Sequence, residues 1–444
     1  MSRWFCFFVG ALLPFVSFSR EHLLLEEAIE VALQNNFSLT SARLRALFPD
    51  LQVEIEQQAF DWQFQPSLRI ESNERTTGEF RGRMDVEKLT VPGTVFRAHA
   101  EWVEREEGES GAVAGVRVEQ PLFRQFGRLY TERNLSRAEY QRAAARRSFQ
   151  QETEALILRV VEAFTATIYG NELNKQQAAA VERAENLWRL VKIRKRQGRA
   201  TGVDVLEMDL LRRQAALRLE RTMEATIQSR TRLAELLGRV PEQLPPLEPV
   251  TVPEETFPDL SRSEELAREN RLELDQALAD YDEAHRQLKL QEREFYPDVR
   301  MLASYRPETS LEREEWFAGI SAGKDLNLRI NKLEVEQEEL AVQAAGIRIA
   351  AVELQLVREV RDVHSQLRTA DRELKLAADQ VTLSEERFRL ARGLYPSGRV
   401  DARKLRDAEE EWVRAQTQYK DAQLERVRVR YRFWHTLGLL LGDV

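Results

Sequence analysis

The feature that most constrains this chain is that it repeats itself. A shift of 200 residues pairs Glu185 with Glu385, Arg189-Leu190 with Arg389-Leu390, Gly198-Arg199 with Gly398-Arg399, and Ala215 with Ala415. The same shift still holds at Arg230, Arg232, Leu237 and Gly238, which meet Arg430, Arg432, Leu437 and Gly438. Upstream it widens to 204 at Gly115 and Gly319, 231 at Pro66 and Pro297, and 235 where Ala32-Leu33-Gln34-Asn35 meets Ala267-Arg268-Glu269-Asn270. The order is preserved throughout, so one structural plan is used twice. The step from 204 to 231 places 27 additional residues between Pro66 and Gly115. Turn signals at Thr76-Thr77-Gly78, Pro92-Gly93 and Glu106-Glu107-Gly108 mark that insertion as a loop, with Thr94 to Val103 a candidate further strand. Pro241, Pro245, Pro246, Pro249, Pro253 and Pro258 make the segment between the halves extended rather than helical. The expected organisation is a leader over residues 1–19, a first repeat over 20–240, a Pro-rich linker over 241–260 and a second repeat over 261–444.

Each half carries the same elements. A helix (Leu24 to Phe60; Glu264 to Phe295) ends before a proline. Strand-like residues follow, at Leu68-Arg69-Ile70-Glu71 and at Val299 to Tyr305. A second strand is expected over Ala112 to Glu119 and over Trp316 to Gly323, the latter alternating Trp, Ala, Ile, Ala with Phe, Gly, Ser, Gly. From Arg124 to Gln197 and from Asn331 to Tyr395 there is no proline, so each tract predicts a helix on the order of 100 Å long. Val363, Leu367, Ala370, Leu374, Ala377, Val381, Ser384, Phe388 and Ala391 recur at 4-3-4-3 spacing, the seam of lateral helix packing. Leu340, Ala344, Ile347, Ala351 and Leu354 repeat that spacing in a shifted register, so one helix is expected to touch neighbours on two sides. Leu405, Ala408, Trp412, Ala415, Tyr419 and Ala422 continue the theme on the return helix.

Several function classes fall away. The 74 acidic and 66 basic residues are interleaved, leaving no basic stripe for nucleic acid. Beyond the leader, no apolar run reaches the length of about 20 residues that a membrane helix needs. Arg3, the apolar run Trp4 to Val16, and Ser17-Phe18-Ser19 form a secretory leader with cleavage expected near Ser19 and Arg20. Cys6, the only cysteine, lies within it, which leaves the mature chain without a thiol. The five histidines (His22, His99, His285, His364, His435) show no ligand spacing, and no nucleotide-binding or nucleophile motif occurs. No metal, no cofactor and no enzymatic activity are expected.

The leader, the tandem duplication, the doubled strand–long helix–turn–helix plan, Gln120-Pro121-Leu122-Phe123 between strand and helix, and the Gly198 and Gly398 turns resemble the TolC-like outer-membrane efflux proteins. The resemblance covers nearly the whole mature chain. It implies a mainly α fold with a small β portion, in which long antiparallel helices form a trimeric α-barrel and four strands per protomer enter a shared outer-membrane β-barrel. It implies a homotrimer in outer-membrane lipid, with its helical part in the periplasm, working with a periplasmic adaptor (membrane-fusion) protein and an inner-membrane pump. The turns Gln197 to Asp204 and Pro396 to Asp401 would then face the adaptor through Gly198, Arg199, Thr201, Gly398 and Arg399. Asp204, Asp407 and Tyr395 match aperture positions, with Arg399 as the gating cation. Lys404 stands where the other acid is expected and Val400 where the arginine is expected. Read without the family, Gly198 and Gly398 are helix C-caps and Asp204 is an acid favoured by a helix N-terminus. Trp102 and Trp316 are candidates for a membrane interface. The competing reading is an exported periplasmic coiled-coil scaffold without a pore. A periplasmic adaptor would carry a single helical hairpin and not a duplication.

Overall fold

The computed structural model describes residues 22–73, 76–105, 110–249, 257–309, 312–324 and 328–440. The expected leader with Cys6, and Pro253 of the linker, lie outside the described residues. Helices α1 (Leu25–Asn35) and α2 (Phe37–Gln58) lead into strands β1 (Gln63–Asn73), β2 (Thr76–Leu89), β3 (Val95–Arg105) and β4 (Gly111–Pro121). One short turn of helix, α3 (Arg128–Thr131), precedes α4 (Arg133–Arg196) and the return helix α5 (Gly202–Leu236). The second half follows with α6 (Leu260–Asn270), α7 (Leu272–Glu292), β5 (Asp298–Arg306), β6 (Glu315–Gly323), α8 (Leu328–Leu394) and α9 (Ala402–Thr436). The chain divides into two compact units, Ala42–Gln150 with Arg271–Gln355, and Met1–Ser41 with Gln151–Asn270 and Leu356–Val444, so each draws on both repeats.

The first of these units holds one antiparallel sheet in the order β1-β2-β3-β4-β5-β6. The four strands expected from the sequence are β1, β4, β5 and β6. The insertion, expected as a loop with one further strand, is instead the hairpin β2–β3, placed between β1 and β4. Its charges mislead because they lie on one face: Arg81, Arg83, Asp85 and Glu87 alternate with Phe80, Gly82, Met84 and Val86. The hairpin's turn, Thr90–Thr94, is tight, with Thr90 N–H donating to the Thr94 carbonyl at 2.9 Å. Gly93 takes φ 95° there, and an added Cβ would lie 3.0 Å from Pro121 Cγ and 3.2 Å from the Gln125 carbonyl.

The faces run through all six strands. Phe64, Val86, Ala98, Val116, Tyr305 and Trp316 are successive cross-strand neighbours, one apolar row over the whole sheet. One position along, Gln63, Glu87, Arg97, Arg117, Ser304 and Phe317 form the corresponding row of the opposite face. On that polar face Glu87 pairs with Arg97 at 2.9 Å, Arg97 with Glu119 at 3.1 Å, Glu119 with Arg300 at 2.9 Å and Arg300 with Asp298 at 2.7 Å. Trp102 and Trp316 both lie on the apolar face, 50% and 76% exposed; Phe80 meets Trp102 edge-on at 6.1 Å.

α4 begins later than the Arg124 expected from the sequence. Gly127 has φ 87° and donates to the Pro92 carbonyl at 3.0 Å, so the chain turns before the helix starts. The opening helix of each half is broken as well, because Asn36 and Arg271 take extended backbone with ψ 122°. Asn36 then caps α2, its Oδ1 accepting from the Leu39 N–H at 3.0 Å.

In the other unit the duplication explains its own matches. Gly238 and Gly438 end α5 and α9 with φ 65° and 71°. A Cβ there would lie 2.6 Å from the Asn35 carbonyl oxygen and 2.7 Å from that of Asn270. These are the residues the repeat pairs, and each glycine lets the end of a return helix press on the end of α1 or α6. The α8 seam is buried at Val363, Leu367, Ala370, Ala377 and Phe388.

The shifted stripe is different. Leu340, Ile347 and Leu354, seven residues apart, are 59%, 71% and 74% exposed. Among the described residues α8 alone is long and apolar enough, by length and composition, to cross a membrane. Arg348 and Glu353 interrupt this stretch, and its exposed apolar residues keep the seven-residue period of a lateral helix contact.

Candidate functional site at the helical turns

Two turns join the long helices to the return helices, and both repeat the same chemistry. Gly198 and Gly398 each have φ 72°, with nothing within 4 Å of an added Cβ. The left-handed backbone alone asks for glycine there. The Gly198 and Arg199 N–H groups donate to the carbonyls of Lys195 and Arg194, closing the end of α4. The next helix is then capped from its own sequence. Thr201 Oγ1 accepts from the Asp204 N–H at 3.2 Å, and Asp204 Oδ2 accepts from the Thr201 N–H at 2.7 Å, a reciprocal capping box. In the second half Asp401 accepts from the Lys404 N–H at 2.8 Å. Thr201, Asp204, Arg199 and Arg399 are solvent-facing or nearly so.

Beneath the turns the four helices share one apolar core. It contains Ala184, Leu187 and Val191 of α4, Met208, Leu211 and Ala215 of α5, Phe388 of α8, and Ala402, Leu405 and Ala408 of α9. Tyr395, in the 3-10 turn Tyr395–Ser397, is 5% exposed and belongs to this core. Arg194 of α4 donates to the Tyr395 carbonyl at 2.6 Å, and its guanidinium lies 4.6 Å from the centre of the Tyr395 ring. This side chain thus ties the first repeat to the turn of the second. Burial pushes the Tyr395 phenol above its ordinary range; the Arg194 cation pulls it back and the Asp204 carboxylate adds to the rise. Asp407 is about half exposed and pairs with its neighbour Arg406 at 2.8 Å.

A second tie lies deeper. Glu409 of α9, 2% exposed, accepts from Arg183 Nε at 2.8 Å. Burial raises the Glu409 carboxyl above its usual range, and the Arg183 cation opposes the rise. The Arg183 guanidinium also sits 4.5 Å over the Trp412 ring, whose other neighbour Phe388 stacks at 5.3 Å. The repeat has kept this arrangement in two versions. At the equivalent positions Trp188 lies under Arg212 at 5.1 Å, so Trp188 with Arg212 corresponds to Phe388 with Trp412. Sequence reasoning missed Arg194, Arg183 and Glu409. The signal available for Glu409 was its repeat partner Asp209, an acid at the same shift of 200.

Among the described residues no group of three or more His, Cys, Asp or Glu could hold a metal ion. What the arrangement does show is a pair of ties from α4 to the second half, Arg194 to the Tyr395 turn and Arg183 to Glu409 of α9.

Comparison with known proteins bears on what kind of device this is. The family model described as outer membrane efflux protein matches residues 265–438, most of the second repeat. No curated protein matches the sequence. Among solved structures, the outer-membrane channel OprN aligns over 93% of this chain and 89% of its own at 18% identity and TM-score 0.73. The outer membrane protein VceC from Vibrio cholerae aligns over 93% and 96% at 15% identity and TM-score 0.72. The CmeC outer membrane channel of Campylobacter jejuni aligns over 94% and 86% at 12% identity and TM-score 0.73. The fold is that of these outer-membrane channels, and the family whose model matches residues 265–438 is the one the sequence resembles.

Proposed function

We propose that this chain, TolC-like in fold and matched over its second repeat by the outer membrane efflux proteins, is the outer-membrane exit duct of a tripartite efflux or type I secretion system. The observation that carries the reading is the sheet: apolar along one face, charged along the other, and with no further strand beyond β1 or β6 among the described residues. Backbone edges of that kind find no hydrogen-bond partners in lipid, so the sheet needs further copies of itself to close. The open stripe of α8 supports the same conclusion for the helices, and the duct is a homotrimer. Residues 20–240 and 261–444 are its two repeats, joined by the linker 241–260. The helical part stands in the periplasm. Gly198, Arg199, Thr201, Gly398 and Arg399 meet a periplasmic adaptor coupled to an inner-membrane pump, which supplies the energy. Asp204, Asp407, Tyr395 and Arg399 lie at the aperture. The duct conducts small molecules or polypeptide passively and performs no bond chemistry.

The test is the molar mass of the mature protein extracted from separated outer membranes, followed by conductance in planar bilayers. A trimer recovered only with detergent, which conducts, is the expected result. A monomer or dimer released without detergent means an exported scaffold without a pore.

A further inference from the structure

The hairpin β2–β3 has no counterpart in the second repeat, and its placement changes the size of the pore. It is not an appendage at the rim of the sheet. β2 pairs with β1 from Gln63–Glu87 to Glu71–Glu79, and β3 pairs with β4 from Val95–Glu119 to Val103–Gly111, so β1 and β4 have no direct ladder between them. Removing the hairpin from the wall would open a gap two strands wide.

Three further observations set it in the wall. First, the strands are long enough: β2 has 14 residues and β3 has 11, against roughly 9–11 for a membrane-spanning strand. Second, both faces continue through it, with Val86 and Ala98 on the apolar row and Glu87 and Arg97 on the polar row. The ion pairs of the polar face start in β2 and reach β5 without leaving that face. Third, its turn is fastened at the helical end of the sheet: the Pro92 carbonyl accepts from Gly127, and Thr94 Oγ1 bonds to Gln120 Oε1.

We propose that each protomer contributes six strands to the outer-membrane barrel, with the β1 edge of one copy completed by the β6 edge of the next. The inference rests on the channel reading above. Directions alternate along β1 to β6, so β6 of one copy meets β1 of the next antiparallel and the ring closes without a parallel pair. Six strands from each of three copies make eighteen, an even number inside the range known for such barrels. With strands about 4.8 Å apart and tilted about 40°, the backbone diameter is roughly 36 Å, against roughly 24 Å for twelve strands. Such a barrel holds an aqueous channel. Arg97, Arg117 and Arg300 alternate with Glu87, Glu119 and Asp298 around its wall, so this lumen does not sort cargo by the sign of its charge. It admits bulky solutes of mixed charge, and the narrow point lies elsewhere in the duct.

The experiment places single cysteines in a Cys6→Ser background and labels the protein in outer membranes with a charged thiosulfonate and with a membrane-soluble maleimide. His99→Cys and Ala100→Cys test opposite faces of β3; Ser304→Cys and Ala303→Cys do the same for β5, a strand the channel reading requires in any case. The expected result is alternation in both strands, with His99→Cys and Ser304→Cys reached by the charged reagent and Ala100→Cys and Ala303→Cys only by the membrane-soluble one. Alternation in β5 with both β3 positions open to the charged reagent overturns the six-strand wall and leaves the channel standing. Loss of alternation in both strands overturns the two together. None of the four sites is buried, and trimer mass in detergent reports that each variant has assembled. Electron microscopy of that trimer counts the strands directly: eighteen supports the proposal and twelve overturns it.

Discussion

At Arg194 a single guanidinium donates to the Tyr395 carbonyl and covers the Tyr395 ring. A charge-assisted hydrogen bond of this kind contributes about 1.5–3 kcal/mol, and the ring contact adds about 0.5–1 kcal/mol. Arg194→Ala is therefore expected to raise single-channel conductance in bilayers, whereas Tyr395→Phe, which keeps carbonyl and ring, is expected to leave it unchanged. Asp204 is held by its own capping box, and Asp407 by Arg406. Three copies would nevertheless bring their charges into rings. Asp204→Ala with Asp407→Ala should raise conductance and weaken its salt dependence; unchanged conductance removes both from the aperture. Glu409 gives a pH dependence of definite sign. Its folded pKa is raised, mainly by burial, so the folded state binds the proton more tightly than the unfolded chain does. Its favourable contribution is complete below the unfolded value of about 4.3 and is lost as pH rises through the raised folded value. Compared by thermal unfolding in detergent, Glu409→Gln should gain on the wild type across that window and match its trend below it; a constant difference at all pH values refutes this.

Among the elements, the helices were legible, and so was every strand of the sheet but β2. The 4-3-4-3 seam of α8 is buried where the spacing placed it, because a helix facing one neighbour shows it the same stripe every seven residues. Within the insertion Thr94 to Val103 is legible as a strand and is β3, whereas β2 is hidden because a strand with one charged face alternates residue by residue, and averaged over a window it resembles a polar loop. The breaks at Asn36 and Arg271 carry no glycine or proline, so the only local notice of either was Asn36 itself, a residue suited to cap the helix that follows. Glycines at element ends allow a graded prediction. Gly198→Ala meets open space and bears only the left-handed backbone, about 1–2 kcal/mol. Gly238→Ala bears the same strain and also drives a methyl group to 2.6 Å from the Asn35 carbonyl oxygen. Denaturant titration should show Gly238→Ala as clearly the more destabilising; equal effects would mean that the α1 end moves freely away.

For the molecule as a whole, the exposed stripe of α8 is an apolar helix face that this chain leaves open. Ile347 is 71% exposed and lies on a helix face whose period suits another helix. Ile347→Asp is expected to lower the trimer fraction in detergent sedimentation while leaving helical content by circular dichroism unchanged; an intact trimer would place this stripe outside the interface. The sequence by itself determined the duplication, the helix seams, the glycine turns and the resemblance to exit ducts, because these rest on periodicity and on local backbone demands that each residue expresses alone. Tertiary structure decided the rest. It set the inserted hairpin in the middle of the sheet, brought Arg194 to Tyr395 and Arg183 to Glu409, and left one stripe of α8 bare. Residues about 200 positions apart meet only after helices have packed, and no local pattern records which partner a buried charge will find.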